Sequence, residues 1–282
     1  MTSGGDTFHE SVEELLTERT DDAETASDVI TRKAREVIAK HRRLWKGPPF
    51  CPFELADLEG IIVEEAPCDI KSDGRIFPKG KQVYIQYAKG QCRERVHFTI
   101  CHELAHTLFP DCYKRVRNRS ASERAEWEFE NLCNIAAAEF LFPLPEFEED
   151  LGGVRISANR LIELANGYGA SIDATSRRAV MLTEFPACVV FARFEEPTGG
   201  KRTSLVVRYA VSNAMFPLKI YPNLRINSKS VANAAYAEQK AASSPQENWM
   251  VGGKWARFRV EAAPLPKFES KETSDLAILL YS

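Results

Sequence analysis

The sequence contains no run of eighteen apolar residues, and a membrane-spanning helix needs about that many. Its first ten residues, M-T-S-G-G-D-T-F-H-E, lack the basic and apolar segments of a secretory leader. Seven cysteines, at 51, 68, 92, 101, 112, 133 and 188, are odd in number and scattered, mostly among apolar positions. That distribution argues against a disulfide framework and for reduced, buried thiols. No charge of one sign dominates, the net charge being -3. These absences lead to the expectation of a cytoplasmic protein without membrane association. What remains is an ordinary globular composition, 44% hydrophobic and 27% charged, over 282 residues, long enough for more than one domain.

The charge is unevenly spread. Residues 1–150 hold 20 Lys and Arg against 29 Asp and Glu, and residues 151–282 hold 17 against 11. Such asymmetry marks either a surface for nucleic acid or an acidic partner in the second half, or simply a solvated face.

The chemistry concentrates in residues 95–110, R-V-H-F-T-I-C-H-E-L-A-H-T-L-F-P, where His102, Glu103 and His106 spell H-E-x-x-H on a helical pattern. Positions four apart lie on one helix face, so both imidazoles can reach one metal ion, while Glu103 can reach a water held there. Phe98, Ile100, Cys101, Leu104, Ala105 and Leu108 would bury this helix, and Pro110 would stop it. A catalytic zinc takes three protein ligands and keeps one position open. The third is expected on a second helix between Ser120 and Pro143. Glu130 is the choice, because its face continues through Asn134, Ala137, Ala138 and Leu141, where a carboxylate needs a partner to offset desolvation. Asn134 would then hydrogen-bond a ligand histidine from behind.

The segments D-G-R-I-F-P-K-G-K-Q-V-Y-I-Q, R-E-R-V-H-F-T-I-C-H-E-L-A-H and E-N-L-C-N-I-A-A-A-E-F-L-F-P resemble the ImmA/IrrE family of zinc metallopeptidases, its IrrE-type branch above all, over about residues 25–185. The resemblance implies that His102, His106 and Glu130 bind zinc, or manganese in the cell, with Glu103 as general base. Ala105 stands where many members have Gly, and His97 where many have Arg. His97 and Tyr113 are candidates for oxyanion or substrate contacts. The resemblance further implies an endopeptidase that inactivates a helix-turn-helix transcriptional repressor by one specific cleavage, in response to stress or DNA damage. The alternative is a regulatory protein that binds a repressor or DNA without cutting.

The expected fold is α+β: a mostly helical zincin-like peptidase domain with a small sheet over 1–150, residues 1–20 being a flexible or docking piece; a helix-turn-helix-like bridge over 151–186; and a GAF-like α+β domain over 187–282, the last by resemblance. Helices are expected at 8–19, 22–45 and 53–58, and strands at 61–63, 74–77 and 82–87. Segment 73–80 is taken as the sheet edge that receives substrate as an added strand. The basic stretch holding Lys114, Arg115, Arg117 and Arg119 reads as a solvated loop or a guide for acidic substrate. Helices 157–166 and 171–184 would expose Asp173, Ser176 and Arg177, a poor major-groove reader, so direct DNA binding is not favoured. Beyond Ala187, strands are read in C-V-V-F-A-R-F, T-S-L-V-V-R-Y-A-V, P-L-K-I-Y, W-A-R-F-R-V-E-A and L-A-I-L-L-Y, with a helix at 228–241. Aromatics from Phe191 to Phe258, including Tyr221 and Trp255, read as core.

Overall fold

The computed structural model describes residues 5–68, 70–112, 117–118, 124–153, 155–195, 204–265 and 275–281. The chain divides into two units, residues 1–147 with 167–171, and residues 148–166 with 172–282.

The first unit opens with α1 (Gly5–Leu16), α2 (Ala26–His41) and α3 (Pro52–Leu58). α2 starts at a reciprocal capping box, in which the Asp28 N–H donates to Thr25 Oγ1 and the Thr25 N–H to Asp28 Oδ2. Val29, Ile30, Ala34 and Ile38 recur at helical spacing and are buried. His41, on the same stripe, is a packed histidine bonded to Glu59. The sheet holds β1 (Ile61–Glu65), β2 (Gly74–Lys79), β3 (Gln82–Tyr87) and β4 (Arg117–Asn118) in the order β1-β3-β2-β4. β1 runs parallel to β3, and the other pairs are antiparallel. The motif helix α4 (Arg93–His106) lies against β2 and β3 and packs along α5 (Arg124–Leu141), whose other neighbours are α1 and α2. Arg35 Nε donates to Glu139 Oε2 at 3.0 Å between α2 and α5, and Ser11 Oγ donates to Asp111 Oδ2 at 2.6 Å. At the end of this unit Phe142, Phe147 and Tyr168 form a buried aromatic nest with ring centroids 4.9–5.6 Å apart.

The second unit contains most of α6 (Glu146–Leu151) and α7 (Ala158–Tyr168), with α8 (Ile172–Leu182). Its five-stranded antiparallel sheet is built from β5 (Ala187–Glu195), β6 (Ser204–Ser212), β7 (Ala242–Val251), β8 (Lys254–Pro264) and β9 (Leu276–Tyr281), in the order β6-β5-β9-β8-β7. Every residue of the central β9, L-A-I-L-L-Y, is buried, so both of its faces are covered and its sequence shows no polar alternation. The helix α9 (Val231–Glu238), capped by Ser230 Oγ, packs on β7 and β8, while α8 packs on β5 and β6. Asp275 Oδ2 accepts the Phe194 N–H at 2.6 Å, fixing the entry to β9.

The α+β composition is as expected, and several elements differ in detail. The motif helix ends at His106 rather than at Pro110: the residue before proline is pushed out of the α region, and Thr107 Oγ1 donates back to Leu104 O at 2.7 Å. The outer edge of β2 is occupied by β4 at Arg75 and Ile76, so a substrate strand could pair with β2 only beyond Ile76. Residues 217–221 form no strand; a single bridge joins Val206 to Arg225 nearby. β7 was not expected, because Ser243, Ser244, Pro245 and Gln246 disguise it; the ladder absorbs Pro245 in a register irregularity between Ser244 and Glu247. Thr175 and Ser176 of α8 are fully buried and Arg177 pairs with Asp173 at 3.0 Å, so Ser176 is not exposed as expected. Tyr221 and Trp255 are surface residues, not core. None of the described cysteines forms a disulfide, and Cys68 and Cys92 are exposed. Among the described residues, no helix is long and apolar enough to cross a membrane.

Phe142→Ala removes the centre of the aromatic nest and is expected to destabilise the protein by about 3–5 kcal/mol, read from the urea unfolding midpoint.

Candidate metal centre

Three ionisable side chains, His102, Glu103 and His106, are buried where α4 meets α5, and Glu130 stands partly buried beside them. Their spacing sets their roles. His102 and His106 lie one turn apart on α4, ring centroids 5.1 Å from each other, and both are buried. Glu130 comes from α5, and its Oε2 stands 2.9 Å from His102 Nε2. His102 Nδ1 is 3.0 Å from Asn134 Oδ1, so Nδ1 carries the proton and donates to the amide oxygen, leaving Nε2 as a bare lone pair. Although it sits 2.9 Å from Glu130, this buried Nε2 makes no hydrogen bond. His106 turns its Nε2 toward Glu103, whose Oε2 is 3.9 Å away, and its ring is backed by Phe129 at 5.3 Å. Cys133 Sγ approaches His106 on the opposite side, 3.7 Å from Nδ1.

Two imidazole nitrogens, a carboxylate and a nearby thiol are a donor set that suits a borderline-soft divalent ion such as zinc. The unsatisfied His102 Nε2 supplies the independent sign that a further group belongs there. Among the described residues, one triad of donors is close enough to share an ion. His102, His106 and Cys133 have donor atoms within 4.8 Å of one another, and Glu130 faces His102 directly. The Nε2 sides of the two rings face the carboxylates Glu130 and Glu103, whereas Cys133 Sγ lies 3.7 Å from Nδ1 of His106.

Glu103 is held from the sheet side. A Cβ built on Gly74 of β2 would come 2.4 Å from Thr99 Cγ2 and 3.1 Å from Glu103 Oε1, so only glycine leaves Glu103 and Thr99 in place. The strand pattern gave no hint of this close approach, and Cys133 was read only as a buried thiol; its i+3 spacing from Glu130 was the available signal.

The structure places His97 apart from this cluster. It packs edge-on against Phe53 with centroids 6.3 Å apart, takes the Arg93 Nε–H on Nε2 at 3.4 Å and faces the backbone of Gly169. Burial holds its pKa below the ordinary histidine range, and the Arg93 charge adds to the effect. Tyr113, Lys114, Arg115 and Arg119 lie outside the described residues, as does the side chain of Arg117.

Residues 60–180 match the IrrE N-terminal-like domain, the family model of the M78 peptidases. The match covers that region, less than half of the 282 residues. The M78 region runs from β1 into α8 and includes both α4 and α5. Among curated proteins, the chain is similar to the radiation response metalloprotease IrrE of Deinococcus radiodurans, 29% identical over 141 residues, covering 49% of this chain and 42% of that protein. The protein of the same name from Deinococcus deserti is 28% identical over 167 residues, covering 56% and 57%. The chain thus spans about half the length of the curated relatives it matches. A solved structure described as a Mycobacterium tuberculosis transcriptional regulator aligns over 97% of this chain and 80% of that one, with a TM-score of 0.56 at 14% identity, a likeness of fold alone.

Gly74→Ala is expected to destabilise the first unit by about 1–3 kcal/mol through the clash with Thr99, and Thr99→Ser, which removes the offending methyl, to recover most of the loss in the double variant, as read by thermal unfolding. His97 is kept neutral in the folded chain, while the unfolded chain takes up the proton near pH 6.5. Its contribution is therefore complete above about pH 6.5 and is lost as the pH falls below that value. Urea midpoints measured across that range should fall toward acid in the parent and fall less in His97→Gln.

Proposed function

We propose that the chain is a zinc-dependent endopeptidase that makes one specific regulatory cleavage in a partner protein, a helix-turn-helix repressor, during a stress or DNA-damage response. The observation that carries the reading is the convergence of His102 Nε2 and Glu130 Oε2 at 2.9 Å with Asn134 fixing the histidine from behind. His102, His106 and Glu130 would hold the ion, with Asn134 orienting the first ligand. Two nitrogens and one oxygen favour zinc over manganese, which prefers all-oxygen sites. The match of residues 60–180 to a peptidase family and the metalloprotease name of the Deinococcus relatives support a protein substrate.

When bound, zinc supplies Lewis-acid polarisation of the scissile carbonyl and a water of lowered pKa. The chain itself supplies the proton transfers. Glu103, buried beside the Nε2 side of His106, takes a proton from the attacking water and delivers it to the leaving amine. Glycine at 74 leaves that carboxylate free of steric contact from β2. The ring of Phe129, 5.3 Å from that of His106, keeps bulk solvent away from this imidazole, which strengthens its electrostatic contacts.

The second unit is proposed as a GAF-like module that binds a small ligand or a partner, supported by its five-stranded antiparallel sheet with α9 on β7 and β8. The helix-turn-helix outline of α7 and α8 is weak as a DNA reader, since Ser176 is buried and Arg177 is engaged by Asp173.

Zinc-loaded parent mixed with candidate helix-turn-helix repressors should give one product that disappears on chelation. Glu103→Gln should keep stoichiometric zinc and lose about 100- to 10,000-fold in cleavage rate. Glu130→Ala should lose the zinc. A parent that binds its repressor yet never cuts it, with zinc bound, would favour the non-cleaving regulator.

A further inference from the structure

On α5, Glu130, Cys133 and Asn134 occupy positions i, i+3 and i+4, and so share the face turned to α4. Asn134 serves His102. One residue earlier, Cys133 stands in the same relation to the other motif histidine: its Sγ is fully buried and 3.7 Å from His106 Nδ1. An imidazole that offers Nε2 to a metal carries its proton on Nδ1, so the group against Nδ1 has to accept it. Sulfur is a weak acceptor, but at a fully buried position no solvent competes with it.

From these positions we infer that Cys133 is the positioning residue for His106. Its Sγ accepts the Nδ1–H, fixes the tautomer and holds Nε2 on the Glu103 side, with Phe129 limiting rotation of the ring. This rests on the metal reading above, and it assigns Cys133 a place behind the ligand rather than on the ion. The alternative, a His102-His106-Cys133 triad, has the right donor spacing, with all three atoms within 4.8 Å. It would require the ion on the Nδ1 side of His106, away from Glu103 and Glu130, which lie on the Nε2 sides of the two rings.

The test uses the full chain. Zinc affinity is measured by chelator competition for the parent, Cys133→Ala, Cys133→Ser and, as a control for the ligand set, Glu130→Ala. The absorption spectrum of the cobalt(II)-loaded parent is recorded alongside. Cys133→Ala is expected to weaken zinc binding by about 10- to 100-fold, and Cys133→Ser, whose hydroxyl can accept the same N–H, to recover most of the loss. The cobalt spectrum is expected to show no thiolate-to-metal charge-transfer band. A band in the parent makes sulfur a ligand and overturns the inference, as does zinc binding by Cys133→Ala at parental strength. Should neither variant fold, the parental spectrum decides alone: a thiolate band overturns the inference and its absence supports it. A parent that binds no zinc, or a Glu130→Ala that binds it undiminished, overturns the metal reading instead.

Discussion

The constraint on which the first unit depends is the desolvation of His102, Glu103, His106 and Glu130 at one helix–helix seam. Polar groups removed from water destabilise a fold by several kcal/mol unless they find partners. Here the partners come from matched periodicities: residues four apart on α4 meet residues three and four apart on α5. A one-residue slip between the two helices would separate every pair at once. The seam is therefore held in a single register by the same contacts that make it a possible site.

That seam explains why α5 is buried on several sides. Its Glu130 face meets α4, while Glu139, also buried, answers Arg35 on α2. A helix with acids on two faces has no clean amphipathic stripe, and here Glu139 meets a base and Glu130 an imidazole. The small sheet has a comparable role from the other direction, since β2 brings a glycine where any side chain would push on Glu103.

Much of this was legible in the sequence, and what was not has physical causes. The H-E-x-x-H spacing and the Glu130-x-x-x-Asn134 spacing encode helical faces directly, so the pairing of His102 with Glu130 and Asn134 could be anticipated. Close approaches between distant segments leave no periodic trace, which is why Gly74 passed unnoticed, whereas the i+3 spacing of Cys133 from Glu130 was a trace left unread. The motif helix was drawn too long because its apolar residues continue to Phe109, while local backbone bonding at Thr107 ends it earlier. In the second unit, β9 was plain because it is apolar throughout, whereas β7 is polar at its start and carries Pro245, so its pairing with β8 is decided by tertiary context. Residues 217–221 show the reverse: a β-like composition that the sheet does not use.

The floor beneath α5 is made by α1 and α2, tied to it and to the end of the motif segment by Arg35–Glu139 and Ser11–Asp111. Both helices precede residue 60, where the family match begins. A shortened chain cut to the recognisable signature would retain every residue named for chemistry, yet the helix carrying Glu130 would have lost its support. The minimal folding unit is thus larger than the minimal motif, and its first sixty residues are a support that the motif spacing alone does not advertise.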